Sequence, residues 1–120
     1  MVIFKMSGIV YLLLCVDDNG NETYKIGVTK RDVNERIKEL STGNPNKLSV
    51  LKSYQSPNYL KVEQWLHRKY SIKTEAGNEF RHLTDEEVMS FLDDCKKADE
   101  TITFMKANNP FYKWLTPLTF

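Results

Sequence analysis

Two polar side chains four residues apart, Glu63 and His67, are candidates for chemistry because helical spacing would place them side by side. A helix through this segment would bury Tyr59, Val62 and Leu66, which leaves Glu63 and His67 together on a neighbouring face. A glutamate oxygen suits a hard cation such as Mg²⁺, and one carboxylate is enough when the ion keeps most of its waters. The alternatives are an ordinary i,i+4 helix pair and, for His67 alone, a purely structural role.

Three more polar side chains precede that pair: Tyr11 and Lys25 in strand-like segments, and Arg36 in a helical one. Cleavage of a phosphate ester adds charge to its oxygens, so it requires cationic groups and a base held in place. A phenol is a poor base near neutrality, and an ammonium at Lys25 would favour the phenolate. The alternatives are a cross-strand aromatic at Tyr11, a sheet-edge lysine at Lys25, and a surface ion pair between Arg36 and Asp32.

The sequence gives little support for other kinds of chemical site. Two cysteines 80 positions apart argue against a disulfide scaffold and are interpreted as small buried apolar residues. No spacing typical of a zinc site joins Cys15, Cys95, His67 and His82. The glycines are isolated rather than gathered in a phosphate-binding loop, and no serine, histidine and aspartate are placed as a triad.

The elements that would position these residues begin with a hairpin. Gly8 opens the apolar run Ile9–Val16, and Glu22–Thr29 predicts the returning strand. Between them, Asn19-Gly20 is typical of a tight turn. Tyr11 and Lys25 are therefore predicted on neighbouring antiparallel strands.

A helix is predicted next, because Val33, Ile37 and Leu40 recur at helical spacing. Thr29 or Asp32 would cap its start, and Gly43 stands where the helix should end. This helix carries Arg36.

The second half of the chain predicts a strand over Leu48–Tyr54 and a helix ending near Tyr70, with Ser56 as N-cap and Pro57 as its first residue. Residues 75–78 are predicted as a loop. A third helix is predicted from a capping box and an apolar stripe, formed by Thr84, Glu87, Val88, Phe91 and Leu92.

This order predicts an α+β fold: a small antiparallel three-stranded sheet flanked by helices, β-β-α-β-α-α, within residues 1–100. Residues 101–120 hold Phe104, Phe111, Tyr112, Trp114 and Phe120, too apolar for a solvated linker. We expect this aromatic extension to pack on the domain, with self-association as the alternative.

Several short motifs resemble the GIY-YIG nuclease superfamily, in particular its phage and bacterial branch with KIG as second motif. They are Gly8-Ile9-Val10-Tyr11, Lys25-Ile26-Gly27, and Arg36 nine residues later. The resemblance continues through residues 36–45 (RIKELSTGNP), 63–67 (EQWLH) and 78–80 (NEF), and covers roughly residues 8–95. The chain departs from the superfamily in having GIVY rather than GIY, and Lys25 in place of a tyrosine.

The resemblance implies a single-metal DNA endonuclease. Tyr11 would help generate the nucleophile or act as its base, and Arg36 would stabilise charge on the phosphate. Glu63 would hold Mg²⁺ or Mn²⁺. Beside these implied roles, the alternative for Lys25 to favouring the Tyr11 phenolate is binding of phosphate or of the leaving oxygen, and His67 would lie beside the metal or be structural. The alternative is a non-catalytic nucleic-acid-binding or protein-interaction module on the same scaffold.

Composition sets the outer limits. The chain has 120 residues, 41% hydrophobic, with a net charge of +1, which predicts one folded domain rather than a disordered chain. Residues 1–83 carry 13 Lys and Arg against 9 Asp and Glu, and residues 84–120 carry 4 against 7. This mildly basic body permits a nucleic-acid partner. The absence of a membrane-length apolar run or a secretory segment leads us to expect the cytoplasm of a bacterium or phage-infected cell, without a membrane partner.

Overall fold

A three-stranded antiparallel sheet forms the centre of the molecule, which is a computed structural model describing residues 7–70 and 81–109. The strands are β1 (Gly8–Val16), β2 (Glu22–Thr29) and β3 (Lys47–Ser56), in the order β2-β1-β3. The predicted α+β fold and element order are confirmed. The tail of residues 110–120 and the loop of residues 75–78, with Glu79 beside it, lie outside the described residues.

The predicted turn joins β1 to β2. Gly20 has a φ of +79°, a backbone conformation that favours glycine. The Asp17 carboxylate accepts hydrogen bonds from the backbone N–H groups of Asn19 and Asn21, both at 2.9 Å. These bonds fix the register that pairs Tyr11 with Gly27 and Leu13 with Lys25.

The two faces of β1 are covered differently. Alternate residues Val10 and Leu12 join the main hydrophobic core with Ile26 of β2. Two helices cover this face, α2 (Tyr59–Lys69) and α3 (Asp85–Asn108). The other alternate residues of β1, Tyr11, Leu13 and Cys15, are also buried. Their side chains point to the opposite face of the sheet, since side chains alternate along a strand.

The N-cap residues of the first two helices are an aspartate and an asparagine, in that order. Helix α1 (Val33–Ser41) starts after Asp32, whose side chain accepts from two backbone N–H groups, as predicted. The prediction that Ser56 caps α2 is wrong, because the helix begins after Asn58. The Ser56 hydroxyl accepts instead from the Asn58 backbone N–H and donates to Asp99 on α3.

Helix α3 has the predicted capping box of Thr84 and Glu87. Its buried stripe is Phe91, Cys95, Ala98 and Ile102, whereas the predicted stripe residue Leu92 is 39% exposed. The helix continues to Asn108, so the first eight residues of the segment predicted as an extension are helical and Ile102 joins the core. Both cysteines are free and buried. Within the described ranges, no helix is long and apolar enough to cross a membrane.

A polar network attaches α3 to the start of α2 and the end of β3. The Asp99 carboxylate accepts hydrogen bonds from Tyr54, Ser56 and Asn58, each at 2.7 Å. Burial alone would raise the pKa of Asp99. The donated hydrogen bonds, with the charge of Lys106, hold that pKa below its usual value of 3.8. The charged carboxylate is therefore part of the fold.

We expect Asp99→Ala to lower the free energy of unfolding by about 3 kcal/mol at pH 7, because two buried donors and the half-buried Tyr54 lose their acceptor. Urea unfolding measures this loss, and Glu100→Ala, an exposed neighbour, should change stability by less than about 0.5 kcal/mol. Because the folded pKa is lowered, the stabilisation is present above pH 3.8 and is lost as pH falls through the folded pKa. A difference between wild type and Asp99→Ala that stays constant down to low pH would contradict this account.

Candidate functional site

Tyr11 lies against Gly27 on the sheet face opposite α2 and α3. The two residues are register partners, and a Cβ placed on Gly27 would lie 2.6 Å from Cζ of the Tyr11 ring. Glycine is therefore required for the ring to lie flat on β2. The Tyr11 side chain is almost completely buried, with 1% of its surface exposed.

Arg36 of α1 is the polar group that meets Tyr11. A guanidinium only donates hydrogen bonds, so the Tyr11 oxygen accepts from Arg36. Arg36 also donates to Glu39 at 3.1 Å. The hydrogen bond to Tyr11, followed by that to Glu39, raises the pKa of Arg36. With 35% of its side chain exposed, Arg36 is the member of this pair that solvent can reach.

Lys25 shares this face with Tyr11. It pairs with Leu13 in the hairpin and stands two residues before Gly27 on β2. Diagonal neighbours of this kind are within reach of a long side chain. The structure thus places the predicted residues Tyr11, Lys25 and Arg36 on one face, which we call the tyrosine face.

Glu63 and His67 lie together on α2, as predicted. Oε2 of Glu63 is 3.8 Å from Nε2 of His67, which is too long for a direct hydrogen bond. The side chains are 21% and 35% exposed, so both are accessible to a ligand. Tyr59, Val62 and Leu66 supply the buried stripe of this helix, as the sequence predicts.

Arg81 completes this group and was missed by the sequence analysis. Its Nη2 lies 2.6 Å from Nδ1 of His67. Because the guanidinium must be the donor, Nδ1 is the acceptor and the proton of a neutral His67 sits on Nε2, the nitrogen that faces Glu63. The only signal in the sequence was the position of Arg81 directly after the motif residues 78–80.

The Arg81 guanidinium is unusual because it is buried without being fully paired. The residue is 4% exposed, and its Nε and Nη1 atoms have no hydrogen-bond partner among the described residues. Burial lowers the pKa of Arg81, and the negative charge of Glu63 offsets part of this effect because it acts to raise that pKa. Buried polar groups are normally paired, so unused donors beside a carboxylate and an imidazole are typical of a functional site.

The two groups of residues are separated by strand β2. Helix α2 begins beside β1, where the Tyr59 ring covers Gly8, with a built Cβ 2.6 Å from Cγ of the ring. Near the other end of the helix, Arg81 pairs by two backbone hydrogen bonds of 2.8 Å with Tyr24 of β2. Helix α2 therefore crosses the core face towards the edge of β2. Glu63, His67 and Arg81, which we call the edge cluster, lie near this edge, and the tyrosine face lies on the other side of the same strand.

The edge cluster contains one carboxylate that could bind a metal ion. In the described parts of the chain, no group of three or more His, Cys, Asp or Glu side chains could hold a metal. Glu63 can supply one oxygen ligand, and the neighbouring Arg81 charge offsets part of the carboxylate's charge. This donor set fits a hard, mostly hydrated cation such as Mg²⁺ and does not fit a zinc site.

The comparison with known protein families finds a match over most of the chain. The model of the T5orf172 domain matches residues 8–105, which include every strand, helices α1 and α2 and most of α3. No curated protein and no solved structure matches the chain significantly.

We expect Gly27→Ala to destabilise the protein by about 2 kcal/mol, because the added methyl group would displace the Tyr11 ring. A loss of stability would be informative, since replacing glycine by alanine in the interior of a strand otherwise stabilises a protein. Chemical denaturation of the single variants and the double variant forms a double-mutant cycle with Tyr11→Ala. Equal costs of Gly27→Ala in the presence and absence of the ring would contradict the packing argument.

Proposed function

Because the chain belongs to the T5orf172 domain family, a phage-associated family found in nuclease contexts, we propose that it is a metal-dependent DNA endonuclease. It would hydrolyse phosphodiester bonds by a single-metal mechanism of the GIY-YIG type. Because the edge cluster and the tyrosine face lie on the two sides of β2, an outer strand of the sheet, this mechanism requires the scissile phosphate to lie at the outer edge of that strand, between the two groups. The observation that carries the proposal is the edge cluster, in which the buried Arg81 fixes His67 beside the half-buried Glu63. A buried, incompletely paired cation lowers stability and fits a site selected for chemistry.

Arg36 is the group proposed to contact the phosphate. Its guanidinium can donate two hydrogen bonds to the phosphate oxygens, where negative charge grows during cleavage. Tyr11 orients it by accepting one of its hydrogen bonds. Since Tyr11 is 1% exposed, its contribution runs through Arg36 rather than through direct proton exchange with solvent. Lys25, on the same face, would bind a phosphate or the leaving oxygen.

Glu63 is the residue proposed to hold Mg²⁺ or Mn²⁺. When bound, the cation supplies charge stabilisation to the phosphate oxygens. With its Nδ1 occupied by Arg81, a neutral His67 presents an N–H towards Glu63. In this tautomer His67 donates a hydrogen bond and cannot accept a proton at Nε2, so it would orient a carboxylate, water or phosphate oxygen rather than act as the base.

A non-cleaving nucleic-acid-binding module is the second candidate. The burial of Tyr11 favours it, because a sealed phenol is poorly placed to activate water. The same arginines and lysine would then serve to bind phosphate only.

Cleavage of supercoiled plasmid DNA tests the proposal. We expect nicking by the wild type with Mg²⁺ or Mn²⁺, loss of nicking in EDTA, and at least about a 100-fold loss in Glu63→Ala, because the metal ligand is removed. Glu35→Ala is the matched control, since this exposed carboxylate lies on α1 outside both groups. A Glu63→Ala protein that cuts as fast as wild type would overturn the assignment, and a wild type that binds DNA without cutting it with either metal would favour the second candidate.

Arg81→Met separates a chemical role from a structural one. Methionine fills a similar volume without a buried charge, so we expect the free energy of unfolding to stay the same or rise by about 1 kcal/mol. Cleavage should nevertheless fall by about 10-fold or more, because His67 loses the group that fixes its ring. The measurements are thermal unfolding and plasmid nicking on the same samples. Cleavage at the wild-type rate would show that Arg81 has no part in the reaction.

A further inference from the structure

The Glu39 carboxylate on α1 is bound by two arginine side chains at once. Arg31, which precedes the helix, contacts it with both terminal nitrogens: Nη1 lies 2.6 Å from Oε1, and Nη2 lies 2.7 Å from Oε2. Arg36 donates to the same Oε2 at 3.1 Å. One carboxylate oxygen is therefore shared by two guanidinium groups.

These ion pairs contribute little to the stability of the fold. The side chains of Arg31 and Glu39 are 56% and 45% exposed, and ion pairs between exposed residues are weak. The start of α1 is held instead by its Asp32 cap. Breaking the contacts of Glu39 would therefore leave the helix in place.

Two guanidinium groups that converge on one anion form an anion-binding site. A guanidinium presents parallel N–H donors that fit two oxygens of a carboxylate or of a phosphate. The two Glu39 oxygens therefore mark positions that two phosphate oxygens can take. Hydrogen bonds from Arg31, followed by those from Arg36, lower the pKa of Glu39, so the anion in this site is charged at neutral pH.

Both arginines are attached to the sheet, whereas Glu39 is not. The backbone N–H of Arg31 donates to Oγ1 of Thr29 at 3.0 Å, and Thr29 is a buried residue at the end of β2. Arg36 is attached through its hydrogen bond to Tyr11. Among the described residues, the Glu39 side chain is held by these two arginines alone. Displacing its carboxylate therefore leaves both cations in position.

The position of Glu39 conflicts with phosphate binding by Arg36. A phosphate that approaches the exposed part of Arg36 meets a carboxylate oxygen 3.1 Å from that guanidinium, and like charges repel. The carboxylate has to move away before the phosphate can bind there. It can do so by rotation of its own side chain, which is long, flexible and exposed.

We propose that Arg31 and Arg36 together bind one phosphate of the DNA backbone, and that Glu39 occupies this position in the free protein until the phosphate displaces it. The proposal rests on the proposed function for DNA as the ligand and for Arg36 as its contact. It adds Arg31 as a second binding residue and Glu39 as an internal competitor. A strand that makes few other contacts cannot displace Glu39, so the carboxylate disfavours weakly bound strands.

DNA binding in EDTA, where a metal-dependent enzyme does not cleave, provides the test. We expect Glu39→Gln to bind a fluorescein-labelled duplex oligonucleotide about fivefold more tightly than the wild type, because the competing charge is gone. Glu35→Gln is the matched control. Glu35 is exposed on the same helix and its charge acts on Arg31, so its loss measures the general charge effect, which should be less than about twofold. Fluorescence anisotropy measures each Kd.

Arg31→Gln tests the second cation. We expect it to weaken binding about fivefold for one lost phosphate contact, whereas Lys30→Gln, at the exposed neighbouring position, should weaken binding by less than about twofold. Glu39→Gln should give a smaller gain in the Arg31→Gln protein than in the wild type, because one guanidinium remains to be released. The altered residues are all exposed, and thermal unfolding checks that each variant folds.

These binding results are separate from cleavage. Tighter binding by Glu39→Gln and weaker binding by Arg31→Gln, each beyond its control, would support the site even if the wild type nicks no plasmid. Equal changes in either variant and its control would overturn the site, even if the wild type nicks plasmid through Glu63. A wild type that binds no duplex oligonucleotide would overturn it as well.

Discussion

The architecture depends on two places where a tyrosine ring lies flat on a glycine of the sheet. Tyr59 covers Gly8 on the core face, and Tyr11 covers Gly27 on the opposite face. A side chain larger than hydrogen at either glycine would push the ring away from the strand. Because Tyr59 begins helix α2 and Tyr11 holds Arg36 of α1, each contact sets the distance of one helix from the sheet. The polar groups of both faces take their positions from these two contacts.

The sequence was sufficient for most of the fold. The apolar run of β1, the turn at Asn19-Gly20 and the capping box at Thr84 are local signals, and the structure contains each of them. The start of α2 was mispredicted because serine before proline is a good local cap, while Ser56 is recruited by Asp99, 43 residues away in sequence. Leu92 was assigned to the core from spacing alone, although the partner surface lies along Phe91 and Cys95.

The candidate site was predictable only as two separate halves. Motif order identified Tyr11 with Arg36 and Glu63 with His67, and the structure places the members of each pair together. The buried Arg81 contacts His67 from outside helix α2, and its position in the sequence follows no periodicity and no capping rule. Its place is set by a backbone pairing with Tyr24, a contact between distant parts of the chain that composition and spacing do not encode.

That pairing also bears on the order in which the molecule assembles. Tyr24 and Arg81 lie 57 positions apart in the sequence, whereas the hairpin that contains Tyr24 closes through a short turn. Long-range contacts form late, because the entropy of closing a long loop must be overcome before they contribute. The hairpin can therefore exist well before Arg81 reaches it. A chain stopped at that stage would have its sheet and its tyrosine face but an incomplete edge cluster, so the edge cluster would be the last part of the candidate site to form during folding.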